Sequence, residues 1–127
     1  MIESNKKAAV RFLELVIASK IDEAYAKHVD MGGKHHNAYF PAGFEKLRDA
    51  MKENESQFPN KRLAVKNVIA EGDLVVAHSH LRMRSDDPKD PGMTVVHIFR
   101  FKDGKIVEMW DCGQAIPADC PNEDGVF

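Results

Sequence analysis

From Thr94 to Gln114 apolar and polar positions alternate in two runs, Thr94 to Lys102 and Lys105 to Gln114, on either side of Asp103-Gly104. Asp-Gly between β-branched and aromatic runs predicts a hairpin, because a type I′ turn needs positive φ at both central residues. Alternation puts Val95, His97, Phe99 and Phe101 on one face of the first strand, and Val107, Met109 and Asp111 on one face of the second. His97 and Asp111 are the polar members of otherwise apolar rows.

Ahead of the hairpin the period changes twice. Between Asn5 and Ser19 the apolar residues Ala9, Phe12, Leu13, Val16 and Ile17 recur at three and four, which predicts a helix with one buried face and Ser4 as its N-cap. Asp22 is placed to cap a short second helix from Glu23 to about Val29, with Ala26 and Val29 facing the first. Asp30 to Ala42 has no period and reads as a loop, with Gly32-Gly33 as a flexible turn. Phe44, Leu47, Met51 and Phe58 then predict a third helix, Gly43 to Gln57, which Pro59 stops.

After Pro59 the period falls to two. Leu63 to Ala70 and Leu74 to Met83 read as strands joined by Glu71-Gly72-Asp73, and His78 and His80 share a face with Leu74 and Val76. Ser85 to Gly92 is too rich in turn formers to pair, and the tail from Ala115 holds prolines and no period. Helices followed by mainly antiparallel strands predict a single α+β domain over residues 1–127, with the helices on one face of the sheet. If the sheet curves, its concave side and the helices enclose a pocket.

Composition narrows the partners. At 127 residues with a formal charge of −2, the chain can bury one core without a staple and carries no basic run of the kind that binds nucleic acid. No window has the apolar length of a membrane span, and the charged start does not read as an export signal, so a cytoplasmic protein with a small-molecule ligand is expected. In that setting Cys112 and Cys120 are expected as free thiols.

The candidate chemistry lies in His36, His78, His80, His97 and Asp111. An ionisable group on an apolar face either finds a partner or has its pKa moved, and the second outcome is how catalytic groups are made. The plainer reading of either His97 or Asp111 alone is a satisfied core histidine or a strand-end cap. A carboxylate in a dry pocket beside imidazoles suits acid–base work next to a carbonyl. Metal binding is the rival, since His78-Ser79-His80 sets two imidazoles on one strand face, but Leu81-Arg82-Met83-Arg84-Ser85 then supplies no carboxylate ligand and no metal is expected. Two histidines, Asn37 and Tyr39 in one loop are unusual for a mere connection. No nucleophile elbow or phosphate loop is present.

These residues, His36-Asn37 before Pro41, Gly72 to His78, and above all Phe99 to Gln114 with its Gly104-Lys105-Ile106 and Glu108-Met109-Trp110-Asp111, resemble the SnoaL-like polyketide cyclase branch of the nuclear-transport-factor-2-like superfamily. The resemblance implies a cone-shaped α+β fold with a deep apolar pocket, a homodimer and no cofactor. It also implies that an aspartate at the place of Asp111 is the acid–base catalyst of an intramolecular aldol condensation, with His80 or His97 as its partner. His36, Asn37, His78, Tyr39, Trp110 and Gln114 are then expected to contact substrate. The short Asp86 to Gly92 loop leads us to expect a carbonyl compound smaller than a tetracyclic polyketide. The same scaffold serves binding and dimerisation domains without catalysis, which is the alternative; a His-based metal site ranks below it.

Overall fold

The computed structural model describes residues 1–127. Three helices, α1 (Ile2–Ile17), α2 (Ile21–His28) and α3 (Phe44–Gln57), accompany five strands: β1 (Val29–His35), β2 (Arg62–Glu71), β3 (Leu74–Arg82), β4 (Met93–Lys102) and β5 (Lys105–Ala115). The strands form one curved sheet in the order β1-β5-β4-β3-β2, antiparallel except for the β1–β5 pair. Thus the α+β architecture follows the periodicity, and the strand count differs by one.

The extra strand is β1, which begins at Val29, the expected end of the second helix, and otherwise lies within the stretch expected to be loop. Asp30, Gly32, Gly33 and Lys34 carry no strand signal, and the pairing is imposed by β5, whose Ile106 and Glu108 lie opposite Val29 and Lys34 across an irregular register. Gly33 makes that approach feasible: a Cβ there would sit 2.2 Å from the Val107 carbonyl oxygen. The caps also differ. α1 starts at Ile2, and the Ser4 hydroxyl donates to the Met1 carbonyl rather than capping. Asp22 lies inside the first turn of α2, where its charge complements the helix dipole, and Lys20 is the N-cap residue.

At the β4–β5 turn, Asp103 and Gly104 take φ of 51° and 78°, as a type I′ turn demands. A bulge then skips Val107 in the pairing, so Ile106 lies opposite Phe101 while Met109 lies opposite Phe99. Ile106, wholly buried, therefore joins Met109 and Asp111 on the inner face in place of the expected Val107. Val75, Ala77 and Ser79 of β3 continue that face.

The helices lay their apolar stripes on it. Phe12 of α1 packs edge-to-face on Tyr25 of α2 at 5.3 Å and on Phe99 of β4 at 5.8 Å, and Tyr25 meets Phe44 of α3 at 6.3 Å. This aromatic cluster anchors all three helices to the sheet, and truncating Phe12 to alanine should cost about 3–5 kcal/mol. The outer face is left open except where the tail returns and Phe127 rests near His78 and His80. No helix is long and apolar enough to cross a membrane.

Candidate functional site

The β4–β5 pairing sets His97 directly opposite Asp111 on the inner face, which brings their Cβ atoms to about 4.5–5.5 Å. Both line a cavity of about 270 Å³, closed on the helix side by Leu13, Val16, Ile17 and Met51 and on the sheet side by Leu63, Leu81, Met93 and Val95. Asp111 also borders a second hollow of about 420 Å³, which Asn37, Ala38 and Tyr39 roof. The carboxylate therefore stands at a neck between an apolar chamber and a more polar vestibule.

Asp111 is held from one side only. Asn37 Nδ2 donates to its Oδ2 at 3.0 Å, and its Oδ1 has no hydrogen-bond partner. Asn37 is itself fixed: its Oδ1 accepts from the Tyr39 amide at 2.9 Å, and its own amide donates to His35 Nδ1 at 3.1 Å. With Nδ1 accepting, the other ring nitrogen of His35 carries the proton and donates to the Pro41 carbonyl at 2.8 Å. This buried histidine pins the loop that positions the carboxylate.

His97 is half-buried, its ring lying flat against Phe99 at 5.7 Å and its Nδ1 sealed from water without a partner. Desolvation pushes its pKa below 6.5, and the charge of Asp111 pulls it only partly back. The imidazole is thus neutral at neutral pH. Tyr25 lies within reach of the same field: burial first, and then the Asp111 charge, lift its hydroxyl well above the usual phenol range.

Of the residues singled out from the sequence, Asp111, His97, Asn37 and Tyr39 come together at this neck. Tyr39 is almost fully exposed at the rim. His80 and His78 do not join them, because inward Val75, Ala77 and Ser79 alternate with them and turn both rings to the outer face. There His80 Nε2 bonds the Pro91 carbonyl at 2.8 Å and His78 Nδ1 the Asn67 amide at 3.2 Å.

Trp110 and Gln114 face outward by the same alternation on β5. His36 borders the vestibule, yet its ring stacks on Trp110 at 5.1 Å and its Nε2 meets the Glu108 carboxylate at 2.6 Å. That hydrogen bond, aided by Lys34 and Arg100, holds the Glu108 carboxyl below its ordinary range. His35, the inward member of the His35-His36 pair, is the residue that reading the segment as a loop concealed. Cys112 and Cys120 are free and exposed. No three His, Cys, Asp or Glu side chains converge as a metal cage requires.

Comparison with known proteins agrees with the fold. The sequence profile of the SnoaL-like domain matches residues 9–109. Among solved structures, a candidate SnoaL-like polyketide cyclase from Jannaschia sp. CCS1 superposes with a TM-score of 0.73 at 20% identity, covering 90% of this chain and 88% of that one. A candidate polyketide cyclase from Bacillus cereus ATCC 10987 is 27% identical, with a TM-score of 0.72 over 84% of this chain and 72% of its own. An NTF2-like protein of unknown function from Cytophaga hutchinsonii ATCC 33406 shares the fold at 10% identity, with a TM-score of 0.68 and coverage of 87% and 89%. No curated protein matches significantly. With more than half of its length matched, and an apolar chamber between helices and curved sheet, the chain belongs to the SnoaL-like domain family.

Proposed function

We propose that the chain is a cofactor-free lyase or isomerase of the cyclase type, acting on a small carbonyl compound bound between the helices and the sheet. The observation that carries this reading is the half-satisfied carboxylate of Asp111 at the mouth of an apolar cavity, facing a desolvated neutral imidazole. Asp111 takes the proton from the carbon next to the carbonyl, and the electron pair moves onto the carbonyl oxygen. A His97 N–H donates to that oxygen as its charge develops, the role in which a fixed donor in a dry site is most effective. Return of that proton from Asp111 to another carbon completes an isomerisation; attack of the enolate carbon on a second carbonyl of the same molecule, with the proton of Asp111 passing to the alkoxide so formed, completes the aldol ring closure. Asn37 orients the base, and Tyr39 closes the rim.

A chamber of about 270 Å³ lies just under the usual range of about 300–1,000 Å³ for ligand sites, which supports a compact substrate rather than a tetracyclic one. In the alternative, a non-catalytic binding domain, Asp111 would be saturated with donors; it has one. The dimer implied by the family resemblance is part of the proposal, with the open outer sheet face as its surface, and light scattering on the purified chain tests it.

The test of catalysis is exchange of α-hydrogens for deuterium in small β-dicarbonyl compounds that raise the melting temperature, followed by NMR. Asp111→Asn keeps the shape and removes the base, and should slow exchange by about 10²–10⁴-fold. Unchanged exchange in that variant refutes the assignment.

A further inference from the structure

The proposed proton transfer leaves one charged group of the cavity unused. Lys61, in the turn between α3 and β2, lines the chamber with Asn54 although it is only 6% exposed. Its ammonium lies 3.2 Å from the carboxylate of Glu55, which is 7% exposed, and donates a short hydrogen bond to Asn54 Oδ1. Lysine is almost never buried unless paired, and a buried pair returns little net stability over apolar side chains of the same volume. Stability alone therefore does not account for placing one here.

The pair is also asymmetric. Lys61 and Asn54 face the chamber, whereas Glu55 sits behind them and borders a separate surface hollow with Lys52 and Ser56. Glu55 neutralises Lys61 from the rear, but its Oε2 lies off the line of a hydrogen bond and accepts none. An ammonium has three donors, and Asn54 takes one. Asn54 uses its carbonyl for that bond, and its Nδ2 makes none. The remaining ammonium N–H groups of Lys61 and the Asn54 Nδ2 amide are thus without a hydrogen-bond acceptor beside an apolar cavity, which is the complement of a carboxylate.

The position of this end relative to the base gives the ligand its shape. Lys61 precedes β2 and Asp111 is on β5, three strands over and several residues further along, yet both line the one cavity of about 270 Å³. Between them the wall is Leu63, Leu81, Met93 and Val95. We infer that Lys61 and Asn54 receive the carboxylate of the substrate, which is a small chain-like oxo acid with its anionic end at Lys61 and its exchangeable C–H at Asp111. This rests on the reading of Asp111 as the base.

Binding of 5-oxohexanoate, 5-oxooctanoate and their methyl esters, measured by titration calorimetry, tests it. Wild-type protein should prefer acid to ester by about tenfold or more, the effect of one charge-assisted hydrogen bond. Lys61→Met alone would strand the Glu55 carboxylate, so the informative variant is Lys61→Met with Glu55→Gln, in which the preference should fall to about twofold or less. Asn54→Leu, which leaves the ion pair in place, should reduce it about threefold. Asp111→Asn should retain the preference while losing α-hydrogen exchange. Equal binding of acids and esters by wild-type protein, no binding of either, or a preference that survives in the folded double variant overturns the inference. A preference that depends on Lys61, with exchange indifferent to Asp111→Asn, keeps the anion-binding end and removes the base instead.

Discussion

Acid should unfold this protein through His97, and the effect can be sized. Burial of the ring lowers its pKa in the folded state below the 6.5 of the free side chain. As the pH falls past 6.5 the unfolded chain takes up a proton that the folded chain refuses, so the stability that the neutral ring supplies, complete above 6.5, is lost toward the folded pKa. One proton corresponds to a limiting slope of about 1.4 kcal/mol per pH unit. For a domain of this length that is about 4–7 °C of melting temperature per unit.

The informative substitution is His97→Phe, because the ring already lies within 2° of parallel to Phe99 and a phenyl ring can take its place. It removes the titrating group together with the buried Nδ1 that has no partner. Melting curves by circular dichroism from pH 7.5 to 5.0 should diverge, wild type falling steeply and the variant much less. The variant keeps a residual slope, since burial and then Lys105 depress His28 in the same direction. Parallel curves would mean that His97 is not held neutral, and the oxyanion role assigned to it would fail with the same measurement.

Three further outcomes follow from the same geometry. Asn37→Ala removes the only hydrogen bond to Asp111 while leaving the carboxylate in place, so turnover of an identified substrate should fall about 100-fold with little change in melting temperature; retained turnover would show that the base needs no orienting. Ser79→Ala deletes a wholly buried hydroxyl that has no partner and should be neutral or stabilising by up to about 1 kcal/mol in urea unfolding, whereas a loss above that would reveal an unseen partner. Gly33→Ala drives a methyl against the Val107 carbonyl, parting β1 from β5 at a cost of about 3 kcal/mol or more, and an unchanged urea midpoint would contradict the close approach.

The limits of what the residues announce have one physical origin. Where an element makes its own pattern it is legible: the α1 stripe through Phe12 and Val16, the Pro59 stop, and the Asp103-Gly104 turn all depend on neighbours within a few residues. That locality is why His97 and Asp111 could each be set on an apolar face of its own strand before any contact was known, while the pairing that puts them opposite one another comes from the fold. β1 makes no such pattern, because two glycines, an aspartate and a lysine become a strand only when β5 supplies the partner. Hiding β1 also hid the alternation of His35 and His36, which alone decides which ring turns inward to hold Asn37 and which lies outside on Trp110.

His80 illustrates the same point from the other side: its strand was legible, but the sign of its face depends on which side the helices cover. Lys61 is the extreme case. A lysine after Pro59-Asn60 reads as ordinary solvated charge, and only the meeting of α3 with the mouth of β2 encloses it against Glu55 and the chamber. A site of this kind is therefore divided by range. The base and its imidazole partner come from a local hairpin and show in the pattern, while the groups that orient the base and receive the far end of the ligand come from pairings across the chain and show only once it has folded.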